Sequence, residues 1–168
     1  MDFSNYIENQ ENYFRNGNTL PISKRKKLLK NLKKEILSNE DKIFQALNND
    51  LRKSNYETYL TEIGILISEI DLFLSNLKKW AKPKKVKSSL LSFPSSDYIY
   101  SEPYGKVLII SPWNYPFQLA VLPLMSAVAA GNTVVLKPSE HAPNTSSLIK
   151  EIIEKIFDKS HALVVEGA

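Results

Sequence analysis

Two apolar runs, residues 106–111 (KVLIIS) and 132–137 (NTVVLK), constrain this chain more than any other feature. Each is a continuous aliphatic stretch with little polar alternation, the pattern of a strand covered on both faces. Between them residues 116–130 read as a helix that stops at Gly131. Residues 144–158 read as a second helix, with Leu148, Ile152, Ile153 and Ile156 turned inward, and residues 162–166 supply a third strand. The order β-α-β-α-β with right-handed crossovers predicts parallel strands, half of a doubly wound sheet, and the α/β class.

The chain before these strands is patterned differently. Residues 4–16 read as a short helix, with Ser4 as N-cap and Gly17 as its stop. Pro21-Ile22-Ser23 opens a second helix carrying Leu28, Leu29, Leu32, Ile36 and Leu37 at three- and four-residue spacing. Ser38 with Asp41 resembles a capping arrangement for a third, which carries Ile43, Phe44 and Leu47. Ser54 with Glu57 is a better capping box and opens the longest helix, whose stripe is Leu60, Ile63, Ile67, Ile70, Leu74 and Leu77. Residues 1–80 are therefore a helical segment. Residues 81–105 are rich in Lys, Pro and Ser, and 97–102 alternate like a strand with one solvated face, so this is a linker, an excursion between two blocks. Residues 106–168 are the partial nucleotide-binding unit.

Several function classes fall away on composition. The chain has 168 residues and no cysteine, so it holds no disulfide, no thiolate metal ligand and no cysteine nucleophile. Its two histidines, His141 and His161, are too few for a histidine-built metal centre and are expected on the surface or in loops. No metal site is expected. No apolar run is long enough to span a bilayer, and Met1 to Asn5 lack the basic flank and apolar core of a signal peptide, so the expected location is cytoplasmic. The net charge is +4, concentrated in Lys24-Arg25-Lys26-Lys27 with Lys30, Lys33 and Lys34, and in a second cluster from Lys78 to Lys87. A nucleic-acid-binding module is one reading of these clusters, but aromatics are not interleaved with the first, and a solvated surface is the expectation. Glu62 and Glu69 lie beside the long helix's apolar stripe with no partner suggesting acid–base work.

Ligands of an open parallel sheet bind beyond the carboxyl ends of its strands. Pro112-Trp113-Asn114-Tyr115-Pro116 follows the first strand and Lys137-Pro138-Ser139-Glu140 follows the second, on the same edge. That edge is the place for a site.

The run PYGKVLIISPWNYPFQLAVLPLMSAVAAGNTVVLKPSEHAPNT, residues 103–145, closely resembles the aldehyde dehydrogenase superfamily, nearest its class 3-like (fatty and long-chain aldehyde) branch. The preceding KKWAKPKKVKSSLLSFPSSDYIYSEP is also similar to that branch, and the likeness is weaker over the first fifty residues. The resemblance implies a truncated aldehyde dehydrogenase fold, with a helical layer followed by half of a Rossmann-like sheet. The implied activity is NAD(P)-dependent oxidation of aldehydes to carboxylic acids, with an aldehyde substrate and a homodimer in the complete enzyme. Asn114 matches the family's oxyanion-hole asparagine. Lys137, Ser139 and Glu140 match positions around the adenosine ribose, where the Glu140 carboxylate would accept from ribose hydroxyls and repel a 2′-phosphate; this favours NAD, with NADP possible. Ser111, Pro112 and Trp113 would line the cofactor channel through their backbone. Tyr98 and Tyr100 would lie on an arm that bridges subunits.

The resemblance also marks what these residues lack. The family's pyrophosphate turn, base glutamate and cysteine nucleophile have no counterpart, and Gly17, Gly64, Gly105, Gly131 and Gly167 are too dispersed to form a phosphate cradle. The chain alone is therefore expected to be inactive. The alternative is a non-enzymatic remnant with weak cofactor or subunit-interface binding. Residue by residue, plainer roles stand beside these: Asn114 as a turn residue bonded to its own backbone, Trp113 as packing, Lys137 and Glu140 as a solvated strand end.

Overall fold

The computed structural model describes residues 4–167; Met1 to Phe3, part of the stretch read above as lacking a signal-peptide core, and Ala168 lie outside the described residues. Helices α1 (Ser4–Arg15), α2 (Ile22–Ser38) and α3 (Glu40–Leu51) are followed by a short α4 (Asn55–Thr58), a π-helical turn (Tyr59–Ile63) and α5 (Gly64–Trp80). Strands β1 (Lys84–Val86) and β2 (Asp97–Ile99) come next, then β3 (Lys106–Ile110), α6 (Gln118–Ala130), β4 (Thr133–Lys137), α7 (Pro143–Ile156) and β5 (Ala162–Val164).

The three later strands form a parallel sheet in the order β3-β4-β5, with Lys106 opposite Thr133, Ile110 opposite Lys137 and Val134 opposite Ala162. This is the expected α/β arrangement. One face of the sheet, through Ile109, Val134, Leu136, Ala162 and Val164, packs into a core with Leu124 and Met125 of α6 and Ile149 and Ile153 of α7. Helices α2, α3 and α5 close that core from outside, contributing Leu32, Ile36, Ile43, Leu47 and Ile70, all fully buried. Fully burying one such side chain stabilises the fold by roughly 1.5–3 kcal/mol. Gly131 ends α6 in the left-handed region at φ 98°, donating to Ala127 and Val128 carbonyls. Asn132 then accepts from the Gly105 amide and donates to the Ala127 carbonyl, tying the start of β3 to the end of α6.

The opposite face of the sheet is only partly covered. Helix α1 lies across it, held by the Gln10 amide donating to the Val134 carbonyl at 2.9 Å. On the edge strand β5, Leu163 and Val164 are buried. The other edge strand is the open one: Leu108 is 64% and Ile110 69% exposed.

Local details depart from the sequence reading in instructive ways. Helices α2 and α3 share Asn39 as their junction, and no Ser38 or other side chain caps α3. Ser54 does cap α4, its hydroxyl accepting from the Glu57 amide at 3.2 Å. The π turn inserts an extra residue into the long helix, so the apolar stripe changes phase: Ile63, Leu66, Ile70 and Leu77 are buried while Leu60 is 52% exposed. Leu37, assigned to the inner stripe of α2, is exposed, whereas Arg25, read as part of a solvated basic face, is buried. Its guanidinium donates to the Ala129 carbonyl at 2.8 Å and the Leu20 carbonyl at 2.6 Å, so the negative end of α6 receives a cation.

His161 lies in the turn before β5, one of the two places expected for it, but it is buried. It stands against Tyr13 and edge-on to Phe157, and burial lowers its pKa to about 4. Strand β2 ends at Ile99, earlier than expected, and pairs antiparallel with β1 with every strand residue exposed. Leu90, Leu91 and Phe93 between them are more than four-fifths exposed. No helix among the described residues is long and apolar enough to cross a membrane.

Candidate active site

Parallel register brings the two sequence-predicted clusters to one edge. Ile110 and Lys137 are direct partners, and the Ser111 amide donates to the Lys137 carbonyl at 3.1 Å, extending the ladder by one residue. Ser111 is buried, and its hydroxyl has no hydrogen-bond partner among the described residues. From there the chain leaves the sheet: Pro112, Trp113, Asn114 and Tyr115 are exposed, then Pro116 and Phe117 turn back into the core. Trp113, at 54% exposure, is not core packing.

The return of this turn is pinned from a distance. Phe117 and Gln118 open α6 and their amides need acceptors, as the first amides of every helix do. They donate to Oε2 of Glu62 at 2.9 and 3.2 Å, from the π turn before α5. Oε1 of the same carboxylate receives Lys53 Nζ at 2.6 Å, and both side chains are buried. Lys53 Nζ also donates to the Asn114 carbonyl at 3.3 Å and lies 4.1 Å from the centre of the Tyr115 ring. The sequence reading missed Lys53 altogether and saw at Glu62 no partner suggesting acid–base work; the partner it has is this buried lysine. The available signal was a carboxylate beside an apolar stripe, a position that is costly to fill unless the charge is paired.

The second cluster is compact. Glu140 forms an ion pair with Lys137, and this contact, then its own backbone amide, holds the carboxyl below its usual range. His141 Nε2 lies 3.8 Å from the other Glu140 oxygen and is exposed. Ser139 is buried: its hydroxyl accepts from the His141 amide and its carbonyl from the Ser146 hydroxyl at 2.7 Å. Pro138, Ser139, Glu140, Ser146, Glu166 and Gly167 line a cleft of about 190 Å³ at this edge. Helix α7 is fixed behind it by Asp50, whose carboxylate accepts from the Asn144 and Thr145 amides and from both of their side chains. A larger hollow of about 530 Å³ lies elsewhere, on the open sheet face between α1 and β3. It is almost wholly apolar, and a site needs convergent polar groups as well as room.

The edge thus offers an ionised carboxylate that can accept hydrogen bonds from hydroxyls and an exposed amide side chain at Asn114. It offers no activated nucleophile: neither Ser111 nor Ser139 is hydrogen-bonded to a histidine or carboxylate side chain. No group of His, Cys, Asp and Glu among the described residues is arranged to hold a metal ion.

Comparison with known proteins is consistent along the whole chain. The profile described as "Aldehyde dehydrogenase family" matches residues 1–168. The 4,4'-diaponeurosporen-aldehyde dehydrogenase of Staphylococcus aureus is 48% identical over 92% of this chain, a match that covers 34% of that protein. Aldehyde dehydrogenase family 3 member H1 of Arabidopsis thaliana is 44% identical over 98% of the chain and 34% of its own length. Among solved structures, a substrate-bound state of Staphylococcus aureus AldH superposes with a TM-score of 0.97 at 45% identity, covering 100% of this chain and 37% of that one. A glyceraldehyde-3-phosphate dehydrogenase of Methanocaldococcus jannaschii, complexed with NADP, gives a TM-score of 0.84 at 25% identity over 98% of this chain and 36% of its own. The chain spans about a third of the length of the relatives it matches.

Proposed function

The chain belongs to the aldehyde dehydrogenase family, and on that premise we propose that it carries the adenosine side and one oxyanion donor of an enzyme oxidising aldehydes to carboxylic acids with NAD(P). The supporting observation is the meeting of two turns, 111–116 and 137–140, at the carboxyl edge of one parallel sheet. In such sheets that edge receives the nucleotide.

The residues present fit the adenosine end of a dinucleotide. Glu140 is ionised and partly exposed beside a cleft, so it can accept from ribose hydroxyls, and its charge disfavours a 2′-phosphate. This favours NAD over NADP. Lys137 orients that carboxylate, Ser139 shapes the cleft wall, and the unpartnered Ser111 hydroxyl, with Pro112 and Trp113, borders the channel. Bound NAD(P) supplies the hydride acceptor. The pyrophosphate finds no glycine cradle in this chain.

When a nucleophile adds to an aldehyde, negative charge develops on its oxygen, and the Asn114 side-chain amide donates to it there. One such donor contributes about 3–4 kcal/mol to lowering the barrier. The chain contains no cysteine, so it cannot supply the thiolate, and by itself it should form no NAD(P)H. The exposed β1–β2 arm, with Leu90, Leu91, Phe93, Tyr98 and Tyr100, would lie between two subunits of a homodimer. The division into 1–80, 81–105 and 106–168, and a cytoplasmic location, belong to the same reading.

The test is to continue the chain with the remaining sequence of the Staphylococcus aureus relative and measure NADH formation from aldehydes. We expect the 168-residue chain to be inactive, the continued chain active, and Asn114→Ala in it slower by ~10²–10³. Turnover by the chain alone, or full turnover by the Asn114→Ala form, refutes the assignment.

A further inference from the structure

We propose that Lys53 and Glu62 are the positioning residues of the oxyanion donor, a buried pair that fixes where Asn114 stands. The inference rests on the role given above to Asn114, and deepens it. Three observations carry it.

The first is how the pair's hydrogen bonds are divided. Glu62 spends one oxygen on Lys53 and the other on the two amides that open α6, 55 and 56 residues away in sequence. Lys53 spends its ammonium on Glu62, on the Asn114 carbonyl and on the face of Tyr115. The exposed turn is thereby gripped at Asn114 and Tyr115 and at its return through Phe117 and Gln118. Among the described residues, the only other backbone hydrogen bond to Asn114 or Tyr115 is the Leu119 amide to the Tyr115 carbonyl.

The second observation is the expense of the arrangement. Lys53 is 7% and Glu62 0% exposed. A buried ion pair adds little net stability compared with apolar side chains of similar size, and helix α6 could be capped locally by a serine, threonine or aspartate. What the long-range pair does, and a local cap would not do, is tie the donor's turn to a rigid helix from another layer.

The third is the π turn. Within the π turn Tyr59–Ile63, Leu60 of the apolar stripe is turned out to 52% exposure, while Glu62 and Ile63 stand in the core. Gly64 closes the turn by donating to the Tyr59 carbonyl, and a Cβ at Gly64 would lie 3.0 Å from that oxygen. The helix is deformed where the carboxylate has to enter.

The experiment uses two variants, Lys53→Arg, which keeps the charge but changes the donor geometry, and Glu62→Gln, which keeps the size but can accept at one end only. In the 168-residue chain, ¹⁵N–¹H spectra should show the Asn114 side-chain amide and the Trp113 indole N–H shifted, with β4 and β5 amides unmoved. In the continued enzyme, kcat should fall by ~10–100-fold with KM for NAD changed less than about twofold. On an Asn114→Ala background the same variants should cost nothing further. Unmoved Asn114 signals, or equal losses with and without Asn114, overturn the proposal and leave a purely structural pair. If Asn114→Ala alone leaves kcat intact, the role of Asn114 fails, and the spectra of the chain still decide whether the pair positions it. Should one variant fail to fold, the other carries both readouts.

Discussion

Burial of His161 makes the stability of this fold fall with acid in a defined window. The imidazole is 2% exposed, and its pKa is lowered to about 4 by burial first and by the Lys24 charge second, against the opposing pull of the Asn132 backbone and Asp158. Below pH 6.5 the unfolded chain takes up a proton that the folded chain refuses until near pH 4. The contribution of His161 is therefore constant above about pH 7, declines as pH drops from 6.5, and levels off below the folded pKa. A shift from 6.5 to about 4 corresponds to roughly 3 kcal/mol over the whole window. This is a large part of the roughly 5–15 kcal/mol that holds an ordinary domain together. The assay is urea unfolding at several pH values for the native chain and for His161→Phe. Phenylalanine keeps a planar ring between Tyr13 and Phe157 but cannot titrate. Carboxylates with lowered pKa that do not face His161, such as Glu11 and Glu35, also lose stabilising charge in acid, but they do so in both proteins. The difference between the two proteins should shrink or reverse by about 3 kcal/mol between pH 7 and 4. A pH-independent difference, or an imidazole that titrates near 6.5 by NMR, refutes the reasoning.

Asp50→Ala removes the acceptor of two backbone amides and two side chains at the start of α7. Urea unfolding should show a loss at or above the upper end of a single cap, about 2 kcal/mol, and a loss below about 0.5 kcal/mol would contradict the bonding described. The open sheet face, with Leu108 and Ile110 largely exposed, should bind a hydrophobic dye and promote association of the 168-residue chain. Leu108→Lys with Ile110→Lys should abolish most of both effects, whereas a monodisperse, dye-silent native chain would contradict the expectation.

The parts of this fold that were legible in the sequence are those set by local repetition. The two aliphatic runs, the helix between them and the Gly131 stop appear where the pattern put them. The cover on both faces that the runs implied holds for β4 and not for β3, whose Leu108 and Ile110 are largely exposed. The meeting of the two clusters was legible for a topological reason: parallel register delivers residues 111–116 and 137–140 to one edge. What stayed hidden depends on partners distant in sequence. No periodicity reveals that Glu62 meets Phe117, that Asp50 caps α7, or that Arg25 leaves its basic neighbours to hold the end of α6. The π turn defeated the stripe at Leu60 because a single inserted residue changes the phase without any signature in composition. The burial of His161 was hidden because it is decided by what surrounds the ring, here Tyr13 and Phe157.

The measurement that bears most directly on the proposed nucleotide site is a titration of the ¹⁵N-labelled 168-residue chain with NAD, followed by ¹⁵N–¹H spectra. Saturation should require millimolar NAD, because only the adenosine contacts offset the cost of association. The signals that move should be those of Ser139, Glu140, Ser146 and Gly167 around the cleft, together with Ser111. Glu140→Gln should weaken the binding further. Shifts confined to Leu108, Ile110 and Tyr6 on the open sheet face, or micromolar binding indifferent to Glu140→Gln, would contradict the account.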